Sequence, residues 1–236
     1  MKKFEVPSFR RSTAVVIAAA GLVLLGGVTV KAVPTSDLTQ TINPGTLVTN
    51  ILDGSRVSVP SPTFAMSAKS LSLDCQTGGN ASTGTFGSAS QRVYVTNGDA
   101  ADNGFTLTVA ATSGVTSTWA NGGATSRIDF NDVTGSTAGC ADGADTDTVA
   151  GQLTIDPSVS TLVTDCASCT ATGVTKGASA SFAQGTVDSI TLLNAGPTSN
   201  DVWRGYLTGA GLSQTIPAET ASDSYTLNLT LTATAQ

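Results

Sequence analysis

The sequence predicts an all-β protein, an antiparallel Ig-like β-sandwich with an extended N-terminal arm, and three observations carry that expectation. Short segments such as "FTLTVAAT" and "SYTLNLTLTATA" alternate apolar and polar residues, the period of a strand that buries one face. Clusters of Gly, Asn, Asp and Ser separate these segments and supply the backbone freedom that turns need. Only 12% of residues are charged, and Thr, Ser, Ala and Gly dominate, a mixture poor in the Lys and Glu of long solvated helices. A barrel is the alternative closure for such strands. The recurring Val, Leu, Ile and Phe at alternate positions argue against disorder.

The chain opens on an export pattern. Lys2, Lys3, Arg10 and Arg11 form a basic head, Ala14 to Val30 is an apolar run, and Val30-Lys31-Ala32 ends in small residues suited to cleavage. Residues 1–32 are therefore expected to be a secretory signal peptide, with an uncleaved anchor as the alternative. Ser12-Thr13-Ala14 follows the arginine pair where a twin-arginine signal carries an aromatic and a leucine, so general secretion is expected. Cleavage removes five of eleven basic and one of seventeen acidic residues and leaves a net charge of −10. That charge opposes nucleic-acid phosphates and anionic lipids, so neither nucleic acid nor, after cleavage, a membrane is expected as a partner.

Residues 33–60 read as an extended arm of strand, Pro44-Gly45 turn and strand, and Pro60 and Pro62 punctuate the entry to a β-sandwich domain over 61–236. Within that domain "QRVYVTN", the turn cluster "GDAADNG" and "FTLTVAAT" predict a β-hairpin. "GQLTIDP", "ASASFA", "VDSITLLNA", "VWRGYL" and "GLSQTIP" continue the short-strand pattern. In the closing segment Tyr225, Leu227, Leu229 and Leu231 fall on one face, opposite Thr226, Asn228, Thr230 and Thr232. No sortase-type motif follows Tyr225, so covalent wall anchoring is not expected.

Four cysteines, Cys75, Cys140, Cys166 and Cys169, follow the signal. An even count outside a reducing cytosol favours two disulfides, for which three connectivities exist. The preferred pairing is Cys140 with Cys169 and Cys75 with Cys166, the first closure contributing on the order of 3 to 4 kcal/mol. The Cys-x-x-Cys spacing alone also suits a redox or zinc site, but there is no histidine and no second such pair.

The same lack weighs against catalysis. A serine nucleophile has no histidine to take its proton, and Lys69 and Lys176, the two lysines after the signal, sit in no recognisable dyad motif. Paired aspartates for glycoside cleavage require a buried cleft that raises one pKa. A non-enzymatic protein is expected.

The acidic stretch "DFNDVTGSTAGCADGADTD" offers Asp129, Asn131, Asp132, Asp142, Asp145 and Asp147 as hard oxygen ligands, the donor type of Ca2+. The spacing departs from an EF-hand and lacks its closing Glu, so two readings stand, a calcium cage and an unliganded acidic loop. Trp203 and Tyr206 in "VWRGYL" are candidate ligand-contact residues through stacking on a sugar, with core packing favoured for Trp203.

Two segments resemble the WxL domain of bacterial cell-surface proteins. "VYVTNGDAADNGFTLTV" is similar to its first motif, with Phe105-Thr106-Leu107 where Trp-x-Leu stands in the family. "GLSQTIPAETASDSYTLNLTLTATA" is similar to its second, with Leu231-Thr232-Ala233 at the second Trp-x-Leu. Both name-giving tryptophans are replaced. The resemblance covers residues 85–236 and implies a secreted protein held non-covalently at the cell surface or cell wall, with peptidoglycan or another surface polymer as partner. A different architecture-level expectation is a self-assembling pilus or surface-filament subunit, in which the arm lends a strand to the next copy.

Overall fold

Much of the alternating sequence becomes paired strand, although in the closing segment the strand begins at Leu229, after Tyr225 and Leu227. The computed structural model describes residues 40–43, 45–99, 103–134, 137–143, 149–218 and 220–236. The stretch expected to be a signal peptide, the start of the expected arm, Asp145 and Asp147 lie outside the described residues. Among the described residues fourteen strands follow in chain order. The first seven are β1 (Leu47–Leu52), β2 (Ser82–Phe86), β3 (Arg92–Asn97), β4 (Phe105–Ala111), β5 (Trp119–Ala120), β6 (Arg127–Ile128) and β7 (Gln152–Asp156). The rest are β8 (Thr161–Thr164), β9 (Val174–Lys176), β10 (Ala180–Ser181), β11 (Ser189–Ala195), β12 (Trp203–Thr208), β13 (Ala210–Thr215) and β14 (Leu229–Ala235).

They form an antiparallel β-sandwich. Sheet I has the order β1-β3-β12-β8, sheet II β10-β7-β13-β2 and sheet III β14-β4-β11-β9, and β5 and β6 make a short ribbon. Sheets I and II are two ends of one bent surface, because three chain passes run through both. β12 continues into β13 across Gly209, β2 into β3, and β7 into β8 across a 3₁₀ turn at Pro157–Val159. Register shows the bend: Leu207 lies opposite Val93, whereas Ala210 lies opposite Phe86, so the partner pass carries extra residues. Gly87 and Gly209 sit at the crease with φ +85° and +75°, joined by Gly209 N–H donating to the Gly87 carbonyl at 2.9 Å. A Cβ on Gly87 would stand 3.0 Å from the Leu207 carbonyl oxygen, so both backbone angle and close approach favour glycine there.

Sheets I and III enclose the main core. Val93, Val95, Trp203 and Leu207 from sheet I join Phe105, Leu107, Val109 and Ile190 from sheet III in one buried cluster. The Phe105 and Trp203 ring centroids are 5.4 Å apart. β4 shows the expected alternation, burying Phe105, Leu107, Val109 and Ala111. In β11 a register shift between Thr191 and Leu193 lets the adjacent Leu192 and Leu193 both be buried. The closing strand is half-buried, with Leu229, Leu231 and Ala233 packed on the core and the intervening threonines exposed.

Three expectations change. The hairpin of β3 and β4 does not form: β3 pairs with β1 and β12, and β4 pairs with β11 and β14. Both strands bury an apolar face, and facing one another across the sandwich satisfies that as well as lying side by side. The stretch read as an arm, residues 33–60, supplies β1 over its described part, with all six residues paired to β3 inside the unit formed by residues 42–236. The preferred disulfide pairing is overturned, since Cys75 bonds Cys140 and Cys166 bonds Cys169, with Cα–Cα distances of 5.6 and 5.3 Å. The second pair is local, closed by the turn in which Cys169 N–H donates to the Cys166 carbonyl. The first joins two loops at the same end of sheet II. Gln76 pairs with Ile216 just past β13, and Gly139 packs on Gln152 at the start of β7.

Candidate functional site

The concave feature of this fold lies at the sheet II end, where the 64–72 segment, the β5–β6 ribbon and residues 216–225 surround a groove of about 400 Å³. The short β5–β6 pairing, Trp119 opposite Ile128, holds Trp119 in its wall. Trp119 is half-buried, and its indole N–H donates to Gln214 Oε1 at 2.8 Å. Gln214 is itself buried, with its amide N–H donating to the carbonyls of Asp129 and Thr215 at 2.9 Å each. The indole is thus pinned at its polar edge by a fully used amide, while its ring borders the groove.

Phe64 and Met66 add apolar wall, Phe64 stacking on Phe86 with ring centroids 4.6 Å apart. Met66 reaches this place because Gly84, its bridge partner, leaves room: a Cβ there would lie 2.8 Å from the Ala65 carbonyl. Tyr225, whose hydroxyl donates to the Ala221 carbonyl at 2.7 Å, lines the groove with Lys69, Gln76 and Asp223. Asn121 donates to Asp223 at 2.6 Å, and that bond, reinforced by Ser224 N–H, holds the Asp223 carboxyl below its ordinary pKa. The groove thus sets aromatic surface beside fixed charge and amide groups.

The residues proposed from sequence fall elsewhere. Trp203 is fully buried, its indole N–H donating to the Thr170 carbonyl at 3.0 Å, so it packs the core and does not contact a ligand. Its hydrophobic flank Val202 is exposed instead. Tyr206 lies on the outer face of sheet I, 4.9 Å from the Tyr94 ring, with the Arg92 guanidinium 4.7 Å above it. There Arg56 grips Asp165 with two bonds of 2.6 and 2.7 Å and Tyr94 donates to the same carboxylate at 2.9 Å. The Arg56 hydrogen bond, against a smaller opposing effect of burial, pulls the Asp165 carboxyl down to about 2.

Of the acidic stretch, Asp129, Asn131 and Asp132 are buried, whereas Asp142 is exposed, and Asp145 and Asp147 lie outside the described residues. Among the described residues no three carboxylate or thiol groups converge on one point. Lys176 donates to the carbonyls of Ser158 and Ser160 rather than to a serine hydroxyl. Sequence reasoning missed Trp119. Its signal was a lone aromatic in the polar run "TSTWANGG", outside any alternating strand, where a large ring has no sheet face to fill.

The fold and groove together define a disulfide-stapled, all-β sandwich that carries an aromatic-walled recess. Compared with models of protein families, with curated proteins and with solved structures, the chain matches none.

Proposed function

We propose that this is a secreted, non-enzymatic bacterial cell-surface protein, an Ig-like and WxL-like sandwich that attaches to a cell-wall glycan through the Trp119 groove. The observation that carries the reading is the half-buried indole of Trp119, fixed by Gln214 and set beside Tyr225, Lys69 and Asp223. A pinned aromatic ring loses little freedom on binding, which favours weakly hydrated sugar faces. The export pattern and the two motif-like segments support a place outside the membrane.

Sedimentation with purified peptidoglycan sacculi tests this. The full exported chain is expected to pellet, and Trp119→Ala to weaken that binding about tenfold while the far-ultraviolet spectrum is retained. A chain that stays in the supernatant sinks the glycan reading.

The placement of β1 favours a second reading, a filament subunit. β1 is an edge strand joined to the sandwich through β3, and such a strand can be exchanged between copies. Deleting residues 33–60 is then expected to abolish polymerisation; a chain that never polymerises rejects it.

A further inference from the structure

The two disulfides sit in unlike surroundings. Cys75–Cys140 joins loops 65 residues apart in sequence, whereas Cys166–Cys169 closes a turn of 3. That turn is already held on both flanks. Before it, Asp165 N–H donates to the Arg204 carbonyl at 2.8 Å, and Arg204 Nε donates back to the Asp165 carbonyl at 2.7 Å. After it, Thr170 N–H donates to Asn200 Oδ1 at 2.9 Å, and the Thr170 carbonyl accepts the Trp203 indole N–H at 3.0 Å. The sulfur–sulfur bond therefore adds little to the placement of a turn that these bonds fix without it.

The two sulfurs of the turn also differ from each other. Cys169 packs against the core cluster, and its Sγ accepts the Arg204 backbone N–H at 3.4 Å. The Val202 carbonyl oxygen lies 3.7 Å from the same sulfur. A thiolate that accepts an N–H bond is stabilised, which lowers its pKa and makes it the better leaving group. Cys169 is thus placed to leave and Cys166 to be attacked. Both cysteines are half-buried, while Ala167 and Ser168 at the tip of the turn are exposed. Such access suits a small reagent.

We propose that Cys166 is a site of reversible modification by a small thiol, and that Cys166–Cys169 is the bond that exchanges. The incoming thiolate attacks Cys166 Sγ, a bond forms between those two sulfurs as the Cys166–Cys169 bond breaks, and the electron pair leaves on Cys169 Sγ. The Arg204 N–H receives that charge. Once the thiolate takes a proton from water, its S–H faces the Val202 carbonyl, so the freed sulfur has a partner in either state. In the reverse step Cys169 attacks Cys166 and expels the small thiol. A second small thiol attacking the adduct instead leaves both cysteines reduced and departs as a small-molecule disulfide, two thiols being oxidised as one protein disulfide is reduced. The exchange is stoichiometric, one adduct per chain, and stands independently of the glycan reading.

The test uses the full exported chain in its oxidised form, with excess reduced glutathione as the probe and N-ethylmaleimide added at intervals to trap freed thiols. Peptide mapping by mass spectrometry is expected to find glutathione on Cys166 and maleimide on Cys169. This opening is expected about tenfold sooner than that of Cys75–Cys140, the scale of one hydrogen bond to a charged leaving group. The opened chain is expected to keep its far-ultraviolet spectrum, because the bonds of Asp165 and Thr170 remain. Glutathione on Cys169 instead of Cys166 overturns the proposal, as does opening of Cys75–Cys140 first or at the same rate. So does opening that occurs only in denaturant or that abolishes the spectrum. Opening by a protein dithiol while glutathione is inert overturns the assignment to a small thiol.

Discussion

Both ends of the sandwich bury apolar side chains, Phe86, Leu153, Ile155 and Leu212 among them at the sheet II end, but they differ in how much polar chemistry lies beside that core. Between sheets I and III lie Trp203, Phe105, Val93, Val95 and Leu107, an apolar filling. Toward sheet II and the β5–β6 ribbon the buried set includes Ser82, Ser117, Asp129, Asn131, Asp132, Gln214 and Thr215. Apolar burial is favourable wherever it occurs, but each buried polar group must find a partner to avoid a penalty. The sheet II end therefore offsets part of its apolar stabilisation by holding polar groups in set positions near a groove.

Trp203→Ala is the sharpest way to break that contrast. Truncating this buried ring is expected to cost about 3 to 5 kcal/mol in urea unfolding. A cost near zero would mean that the sheet I and III end is not the main source of stability.

The two disulfides refine it, since each end carries one. Replacing Cys75 and Cys140 by serine opens a closure of 65 residues, for which chain entropy predicts a loss of about 4 kcal/mol. The Cys166–Cys169 closure spans 3 residues and is expected to contribute about 2 kcal/mol or less. Equal losses in the two double variants would contradict the view that the polar end depends on its cross-link.

The smallest effect concerns acid. Asp165 has a folded-state pKa drawn down from 3.8 to about 2, chiefly by Arg56. A carboxyl whose pKa is depressed on folding adds stability above its unfolded value, and that stability is lost as pH falls through the folded one. Arg56→Gln is expected to be less stable than the parent at neutral pH, with the gap closing between about pH 4 and pH 2. A gap that is constant across that window would show that Arg56 acts through packing instead. As a solvent-facing pair it also predicts a smaller gap at high salt.

Sequence made the strands legible and their partners much less so. "FTLTVAAT" and "LTLTATA" announce a buried face through their period of two, and β4 and β14 bear this out residue by residue. Alternation reports that a face is covered but not by which sheet, which is why β3 and β4 read as neighbours yet lie in different sheets. The cysteine partners depend on where sheet II brings the 137–143 loop, a tertiary fact with no local signature. Trp203 is the candidate for which core packing is favoured, and its 0% exposure agrees, while its strand neighbours Arg204 and Tyr206 face the other way. Trp119 shows the converse, an aromatic outside any alternating run that packs on the core from its edge while lining the groove. The crowding of acids in "DFNDVTG" was visible; that Phe130 would drag the run inside was not.

The Cys75–Cys140 bond has a further consequence for the fate of a damaged chain. Trp119 and the Asp129–Asp132 run both lie between the two cysteines it joins. A protease that cuts the backbone once anywhere in that interval leaves two fragments tethered through sulfur, each still carrying its strands in the shared sheets. Such a molecule stays one covalent unit until the disulfide is reduced, and its two pieces part only when the shared sheets are also unfolded.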